Sequence, residues 1–331
     1  MAPSMTHRQR LEACISGGKP DRTPVALWHH FPVDDQDPAL LAAAALDFQR
    51  RYDFDFVKVT PASSFATRDW GIQDVWLGNT EGTRQYTQRV IQHPEDWLKL
   101  QVLDPYQGSL GDQLKCLAII EDNLDSHTPF IQTVFSPLSI AKYLVGDGGL
   151  LLHLRHYPDA VHAGLRTITE TVQRFVHASF QTGIAGIFYA VQFAQHDLLT
   201  EHEFAVFGRS YDLQVLESVR SAWFNVVHLH GLNVMLDQVA DYPVQVVNWH
   251  DRETAPSLAE AKTIFPGALC GGLRRWDTVV LGSPDDVIAE AHDAIKTTGG
   301  LRFILGTGCV SPIVAPHGNL IAVRKAVGKG L

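Results

Sequence analysis

The sequence predicts a single-domain (β/α)8 barrel that spans residues 1–331. Short β-branched or apolar runs alternate with longer amphipathic stretches along the chain, which is the order of a parallel sheet covered by helices. The length suits one barrel of this kind, and no low-complexity linker or internal repeat divides it. An open doubly wound sheet is the second candidate, but no GxGxxG motif follows the first strand-like run.

Eight strand-like runs and the segments between them define the predicted elements. Strands are expected at residues 24–30, 56–60, 130–135, 184–192, 225–230, 244–250, 268–273 and 301–305. Helices are expected at residues 7–16, 39–52, 97–123, 137–146, 158–182, 201–221, 232–240, 256–265 and 284–298. Residues 70–91 interrupt this alternation, and segment 83–91 is typical of a hairpin arm. We therefore expect a β-hairpin and helical insertion after the second strand, lying over the barrel.

Composition and charge exclude several classes of partner. The formal net charge is −9 and the Lys and Arg residues form no single block, so we expect neither nucleic acid nor a membrane surface as a partner. No apolar run has the length of a membrane span or the pattern of a signal peptide. The four cysteines show no CxxC spacing, which favours reduced thiols in a cytoplasmic protein.

Polar side chains occur where most of the predicted strands end. His228 and His230 share one face of the fifth strand, and Asn248 and His250 share one face of the sixth. Other strand ends carry His29 and His30, Lys58 and Thr60, Gln192, and Cys309. Because the carboxyl ends of barrel strands converge on one cavity, we expect a functional pocket there.

The histidine pair and the cysteine are candidate metal ligands. His228 and His230 could bind one ion, with Cys309 or His250 as the third ligand and one position left open. A thiolate combined with imidazoles favours Zn2+, which would hold a substrate thiol as thiolate or polarise an oxygen. In the alternative interpretation, the imidazoles hydrogen-bond a substrate carboxylate and Cys309 only packs.

Four segments, in the same order along the chain, resemble the uroporphyrinogen decarboxylase superfamily. They are GKPDRTPV at 18–25, YDFDFVKVTP at 52–61, FSPLSIAKYL at 135–144 and GTGCV at 306–310. The resemblance spans nearly the whole chain and implies a (β/α)8 barrel. Tyr143 resembles an active-site tyrosine of the family.

The decarboxylase branch of this superfamily matches poorly at the substrate loop. True uroporphyrinogen decarboxylases follow the first strand with an Arg-Gln-Ala-Gly-Arg type of loop, whose arginines bind the acidic side chains of the tetrapyrrole. Here residues 28–35 read WHHFPVDD, with Asp34 and Asp35 and no arginine. A substrate with many carboxylates needs cations, so the sequence argues against porphyrinogen decarboxylation.

The second branch comprises zinc-dependent methyltransferases that move methyl groups between corrinoid proteins and thiols. Their ligand pattern is His-x-Cys followed downstream by Cys, which His228, His230 and Cys309 resemble, with His230 at the position of the first cysteine. Neutral imidazole in place of a thiolate makes the site one charge more positive. Such a site suits an oxygen substrate, or another ion such as Fe2+. We expect any corrinoid to be carried by a partner protein.

Three hypotheses about function follow. The first is metal-dependent methyl transfer or demethylation of a small molecule, with His250, Lys58 and Tyr143 as catalytic residues. Its candidate substrate-binding residues are His29, His30, Gln192, Asn248 and Arg274. The second is a metal-free decarboxylase or lyase of a small or tetrapyrrole-type acid. Its cation and proton donor would come from His29, His30, Lys58 and His250. The third is a non-catalytic ligand-binding barrel. Members of the resembled superfamily are often dimers, so we also expect a homodimer.

Overall fold

The computed structural model describes residues 5–328 as an α/β fold built on a curled parallel sheet. Nine strands occur in this range: β1 (Val57–Val59), β2 (Gln73–Val75), β3 (Gln85–Gln88), β4 (Phe130–Phe135), β5 (Gly186–Val191), β6 (Val226–Leu229), β7 (Val246–Trp249), β8 (Ala268–Leu273) and β9 (Phe303–Thr307). Seven of them form one sheet in the order β1-β4-β5-β6-β7-β8-β9, and every neighbouring pair is parallel. The predicted parallel α/β architecture is therefore confirmed.

Helices fill most of the connections between these strands. They are α1 (His7–Ser16), α2 (Pro38–Tyr52), α3 (Gly108–Asn123), α4 (Pro137–Val145), α5 (Asp147–His156), α6 (Pro158–Phe180), α7 (Glu201–Phe204), α8 (Ser210–Glu217), α9 (Leu258–Ile264), α10 (Pro284–Thr298) and α11 (His317–Ala326). The helix predicted at 232–240 is wrong, because only a 3₁₀ turn forms there, at Asp237–Val239. Within residues 5–328, no helix combines the length and the apolar character needed to cross a bilayer.

The first predicted strand, at residues 24–30, does not form as a regular strand. It forms one isolated bridge, between Val25 and Leu305 of β9, so the sheet has seven regular strands rather than eight. Pro24 has no N–H to donate, and the N–H of Val25 donates to a carboxylate oxygen of Asp55 at 2.7 Å instead of to a strand carbonyl. The segment still lies beside β9, because the N–H of Ala26 donates to the Leu305 carbonyl at 3.0 Å.

The strands of the parallel sheet are buried on both faces, as expected for a sheet covered by helices. All residues of β4 to β9 are buried. Local signals set the helix ends. For example, α10 begins at a capping box formed by Ser283 and Asp286, and it ends at Gly299, whose φ of 69° is the left-handed conformation that glycine adopts without strain.

Strands β2 and β3 pair antiparallel, and the segment between them, residues 76–84, is here called the hairpin loop. The loop is tied to the ends of distant elements. The carbonyl of Thr80 accepts from the N–H of Ile313 at 2.9 Å, and Arg84 donates to the carbonyl of Pro32 at 2.8 Å. Gly82 lies against His30, since a Cβ at this glycine would be 2.5 Å from the His30 Cβ. The hairpin loop therefore packs on the segment that follows residues 24–28.

Candidate metal centre

Four potential metal ligands converge where three strands of the parallel sheet end. His228 lies in β6, His230 and His250 closely follow β6 and β7, and Cys309 follows β9. One ligand atom from each of the four side chains lies within 4.8 Å of the others. Three of the side chains are buried and His230 is half-buried. The fold thus brings together the three ligands expected from the sequence and places His250 beside them.

Strand periodicity brings three of these four side chains together. Strands β6 and β7 run parallel with His228 opposite Asn248. Residues two apart in a strand point to the same side of the sheet, so His230 and His250 extend the same face at the strand ends. Two neighbouring strands therefore present three imidazoles to one space.

A glycine allows Cys309 to reach the imidazoles. At Gly308, a Cβ would lie 2.6 Å from the Cα of His250 and 2.6 Å from the carbonyl oxygen of Trp249. Any side chain at this position would push the chain after β9 away from the end of β7. The absence of a side chain at Gly308 keeps the Sγ of Cys309 3.7 Å from the Nδ1 of His230.

Asn248 orients the imidazole of His228. The Nδ2 of Asn248 donates to the carbonyls of Cys270 at 2.8 Å and Thr307 at 3.0 Å, which leaves its Oδ1 as an acceptor. That Oδ1 lies 2.7 Å from the Nδ1 of His228, so Nδ1 donates to it and Nε2 remains as the ligand atom. Asn248 is predicted from the sequence to bind substrate, but in the structure its polar atoms bind other groups of the protein.

Glu253 plays the corresponding role for His250. The Nδ1 of His250 lies 3.1 Å from an oxygen of Glu253. The Nε2 of the same ring is buried and has no hydrogen-bond partner in the described part of the chain. A buried nitrogen without a partner costs free energy unless a ligand takes it, so this atom points to a ligand in the cluster.

The thiol of Cys309 is poised to ionise. Burial alone would raise its pKa, but the imidazoles of His228, His230 and His250 hold the pKa well below its ordinary value. Burial would lower the pKa of His250, yet contacts with Cys309 and Glu253 raise it to about 9. Thiolate is the form of cysteine that binds metal, so the three imidazoles favour the ionised state of Cys309 that a metal requires.

The donor set fits a divalent ion of the zinc type. It combines one thiolate with three imidazoles, two of which already bind a protein acceptor through the other ring nitrogen. Zn2+ prefers such nitrogen and sulfur ligands in tetrahedral sites. The unpartnered Nε2 of His250 is consistent with an ion or a bound substrate atom at the centre of the cluster.

Comparison with protein families agrees with the fold and the order of the motifs. A model described as uroporphyrinogen decarboxylase (URO-D) matches residues 6–330. The chain belongs to this family. The family resemblance expected from the four sequence segments is therefore confirmed.

Known relatives of this URO-D family chain include methyltransferases. A curated relative, the methylcobamide:CoM methyltransferase MtbA of Methanosarcina acetivorans, is 23% identical over 301 residues, which cover 89% of this chain and 85% of the relative. The structure of a methyltransferase from Methanosarcina mazei superposes with a TM-score of 0.85 and 21% identity, covering 98% of both chains. A B12-independent methionine synthase from Shewanella sp. W3-18-1 gives a TM-score of 0.57 at 12% identity, covering 93% of this chain and 94% of that one. These two structural matches establish the fold.

The buried Lys58 and the half-buried His30 lie beside the candidate metal cluster of this URO-D family member. The Nζ of Lys58 lies 4.7 Å from the ring centre of Phe188, which stacks on His228 at 5.3 Å. No carboxylate within residues 5–328 pairs with Lys58, and burial lowers its pKa to about 7. Burial, with a smaller effect of Lys58, lowers the pKa of His30 to about 3. Both side chains are therefore available to a bound substrate.

Tyr143 and Gln192 lie on the side of the site that faces the antiparallel hairpin. The ring of Tyr143 is buried, stacked on Tyr86 of β3 at 5.3 Å and edge-on to Phe135 at 5.2 Å. Burial raises the pKa of the Tyr143 hydroxyl well above its ordinary value, so the hydroxyl keeps its proton. The side-chain oxygen of Gln192 accepts from Lys142 at 3.3 Å.

Two other residues expected in the site lie away from the cluster. The ring of His29 packs on Phe31 at 4.4 Å and Phe48 at 4.6 Å, beside a cavity of about 400 Å³ between α2 and the start of α11. Arg274 pairs with Glu290 of α10 at 2.5 Å, with 44% of its side chain exposed. The neighbouring residue, Arg275, extends toward the cluster instead.

Sequence patterns did not point to three charged residues around the cluster: Glu253, Arg275 and Glu81. Glu253 follows His250 by three residues, a spacing that carries no signal outside a helix. Arg275 and Arg274 are adjacent and alike in the sequence, so only the fold distinguishes them. Glu81 reaches the site from the hairpin loop, and no local pattern reveals that approach.

Proposed function

We propose that this chain is a metal-dependent methyltransferase or demethylase whose ion is held by His228, His230 and Cys309. The observation that carries the proposal is the convergence of four ligand atoms within 4.8 Å. The relatives named as methyltransferases support the same reaction class. Zn2+ is the first choice of ion because the set combines a thiolate with imidazoles, and Fe2+ is the second.

The metal would supply Lewis-acid chemistry, holding and activating the sulfur or oxygen atom that takes part in methyl transfer. Four protein ligands would close a tetrahedral site, so we assign three to the ion and leave one position for substrate. His250 presents Nε2 to the same space, where it contacts the ion or holds a proton for the atom bound there.

Residues around the cluster would bind and orient the small-molecule substrate. Lys58 supplies a buried amine and His30 a half-buried neutral imidazole, and both would hydrogen-bond an anionic or hydrogen-bond-accepting part of it. Tyr143 keeps its proton and donates it in a hydrogen bond, and Gln192 orients Lys142. The buried setting excludes water from the reacting atoms.

We further propose a corrinoid-carrying protein as the partner, because the curated relative is named a methylcobamide:CoM methyltransferase. Residues 24–28 would take the place of the eighth strand and close a (β/α)8 barrel, since they lie against β9. The hairpin of β2 and β3 would be an insertion in this barrel. A cytoplasmic location and a homodimer stay predictions.

Elemental analysis of the purified chain tests the metal. We expect about one divalent ion per chain in the wild type and loss of the ion in Cys309→Ser and His228→Ala. Demethylation of methylcobalamin in the presence of small thiols, followed by visible absorbance, should require the ion. A metal-free chain with full methyltransferase activity would contradict the proposal.

The metal-free decarboxylase remains a second candidate because the buried Lys58 and the half-buried His30 lie beside the cluster. It predicts release of CO2 from a carboxylic acid in the presence of a chelator, and loss of that activity in His250→Ala. A chelator is therefore enough to distinguish the two candidates: it should abolish the methyltransferase activity and leave the decarboxylase activity unchanged.

A further inference from the structure

Glu253 connects the imidazole of His250 to an arginine. One carboxylate oxygen of Glu253 accepts from the Nδ1 of His250 at 3.1 Å, and the other lies 3.6 Å from the Nε of Arg275. An acceptor on one ring nitrogen fixes the tautomer and aims the other nitrogen at a metal or substrate. Glu253 therefore determines where the Nε2 of His250 points.

Arg275 contacts both sides of the cluster. Its Nη1 donates to the carbonyl of Val310 at 3.4 Å, directly after Cys309, while its Nε faces Glu253. Only 8% of its side chain is exposed, so its charge needs a partner inside the protein. One guanidinium thus positions the segment that carries the thiolate and the carboxylate that holds His250.

The partner that completes the charge pairing of Arg275 comes from the hairpin loop. One oxygen of Glu81 lies 3.0 Å from the Nη1 of Arg275, and the other accepts from the Nε1 of Trp276 at 3.0 Å. The loop is seated by the contact of Gly82 with His30 and by the Thr80–Ile313 hydrogen bond. Glu81 therefore reaches Arg275 only while the hairpin loop lies in this position.

We propose that Glu81, Arg275 and Glu253 are positioning residues that form an outer sphere of the metal centre, with Glu81 supplied by the hairpin loop. This inference rests on the proposed function, since it assumes an ion at the cluster. The chain Glu81–Arg275–Glu253–His250 links the loop to the site through contacts of 3.0 to 3.6 Å. Moving the loop away removes the partner of Arg275 and loosens both Glu253 and the Cys309 segment.

Charge supports this arrangement. A divalent ion with one thiolate and neutral imidazoles carries one net positive charge, whereas a second thiolate would neutralise it. Glu253 supplies a compensating negative charge through His250, and the charges of Arg275 and Glu81 cancel each other. The outer sphere therefore offsets the one positive charge that remains at the ion because residue 230 is a neutral histidine and not a thiolate.

Zn2+ affinity and the visible spectrum of the Co2+-loaded full chain test the proposal without an activity assay. We expect Glu253→Leu to weaken Zn2+ binding by about 10- to 100-fold and to alter the Co2+ absorption bands. Glu253→Gln keeps a hydrogen-bond acceptor for His250, so its Zn2+ affinity should lie between those of the wild type and Glu253→Leu. For Glu81→Gln we expect faster removal of Zn2+ by a chromogenic chelator.

Glu290→Gln is the matched control, because Glu290 pairs with Arg274, the neighbour of Arg275, outside the cluster. It should leave the Zn2+ affinity, the Co2+ spectrum and the removal rate at wild-type values. Circular dichroism identifies any variant that fails to fold. If Glu253→Leu does not fold, the test rests on Glu253→Gln and Glu81→Gln. Wild-type affinity, spectrum and removal rate in folded Glu253 and Glu81 variants would overturn the inference. A wild-type chain that binds neither ion would instead refute the proposed function.

Discussion

His228 and His250 are oriented in the same way, by an acceptor on Nδ1, but the two acceptors differ in charge. Each ring binds an acceptor through Nδ1, but the acceptor is the neutral Asn248 for His228 and the anionic Glu253 for His250. A carboxylate makes an imidazole a better base and a stronger ligand than an amide does. The two rings are therefore suited to different tasks: His228 to a fixed ligand, and His250 to a group that exchanges a proton.

Asp212 is a buried carboxyl group remote in function from the cluster. It accepts hydrogen bonds from the hydroxyls of Tyr189 and Tyr242, both at 2.8 Å. Burial nevertheless raises its pKa to about 7, against a hydrogen-bond effect of opposite sign. The folded chain thus keeps a proton on Asp212 at pH values where the unfolded chain has lost it.

This pKa shift predicts a loss of stability with rising pH. The contribution of protonated Asp212 is fully present below about pH 4, declines by at most about 1.4 kcal/mol per pH unit, and is lost above about pH 7. Urea unfolding of wild type and Asp212→Asn across this range measures it, because the variant should lack this decline. Parallel stability curves for the two proteins would show that Asp212 does not titrate in the window.

At the scale of elements, one buried carboxylate accepts the backbone hydrogen bond that a neighbouring strand would otherwise accept from residues 24–28. Asp55 is fully buried just before β1, where it accepts from the N–H of Val25 and binds Arg10 and Arg22. His7 of α1 lies 3.0 Å from the same carboxylate. Asp55 therefore joins α1, the segment at 24–28 and the start of β1 at the end of the sheet opposite the metal cluster.

Replacing this carboxylate should destabilise the fold. Asp55→Asn leaves buried cations without their anion, so we expect a loss of about 3–5 kcal/mol in the free energy of unfolding, measured by chemical denaturation. Asp47→Asn is the control, because Asp47 forms an exposed pair with Arg51. Such a pair contributes less than about 1 kcal/mol. Equal losses in the two variants would contradict the role given to Asp55.

The same carboxylate predicts acid sensitivity. Burial opposes ionisation of Asp55, but its hydrogen bonds and ion pairs lower its pKa to about 2. Its stabilising contribution is therefore complete above about pH 4 and lost as the pH falls through 2, opposite in sign to that of Asp212.

At the scale of the whole molecule, the candidate metal cluster connects parts of the chain that are distant in sequence. His228 and Cys309 are separated by 81 positions, since 309 − 228 = 81, and they meet across the ends of β6, β7 and β9. An ion bound there would restrain three connections at once. Metal binding should therefore contribute to the stability of the folded chain.

Thermal unfolding measures that contribution. With free Zn2+ about a thousandfold above its dissociation constant, we expect about 4 kcal/mol of stabilisation and a melting temperature several degrees higher. A chelator should reverse the rise, and Cys309→Ser should respond to neither treatment. An equal rise in Cys309→Ser would place the bound Zn2+ elsewhere on the chain.

Local sequence patterns are enough to predict the parallel α/β architecture, the family and the candidate ligands His228, His230 and Cys309. The alternation of strand and helix patterns repeats along the chain, and an HxH pair is visible within one strand, so local order carries this information. The same local reasoning fails for the first predicted strand, which forms only one isolated bridge. Residues 24–30 have a strand-like composition, yet Asp55, far along the chain, takes the N–H that a ladder would use.

The identity of the charged residues around the ligands follows from the fold and not from any local pattern. Arg274 and Arg275 are equivalent in the sequence, and the fold pairs the first with Glu290 and the second with Glu253 and Glu81. Contacts of this kind depend on where strands end and on how the hairpin loop returns over them. Periodicity and spacing describe neighbours along the chain, whereas the outer sphere is made of residues that become neighbours only when the sheet curls.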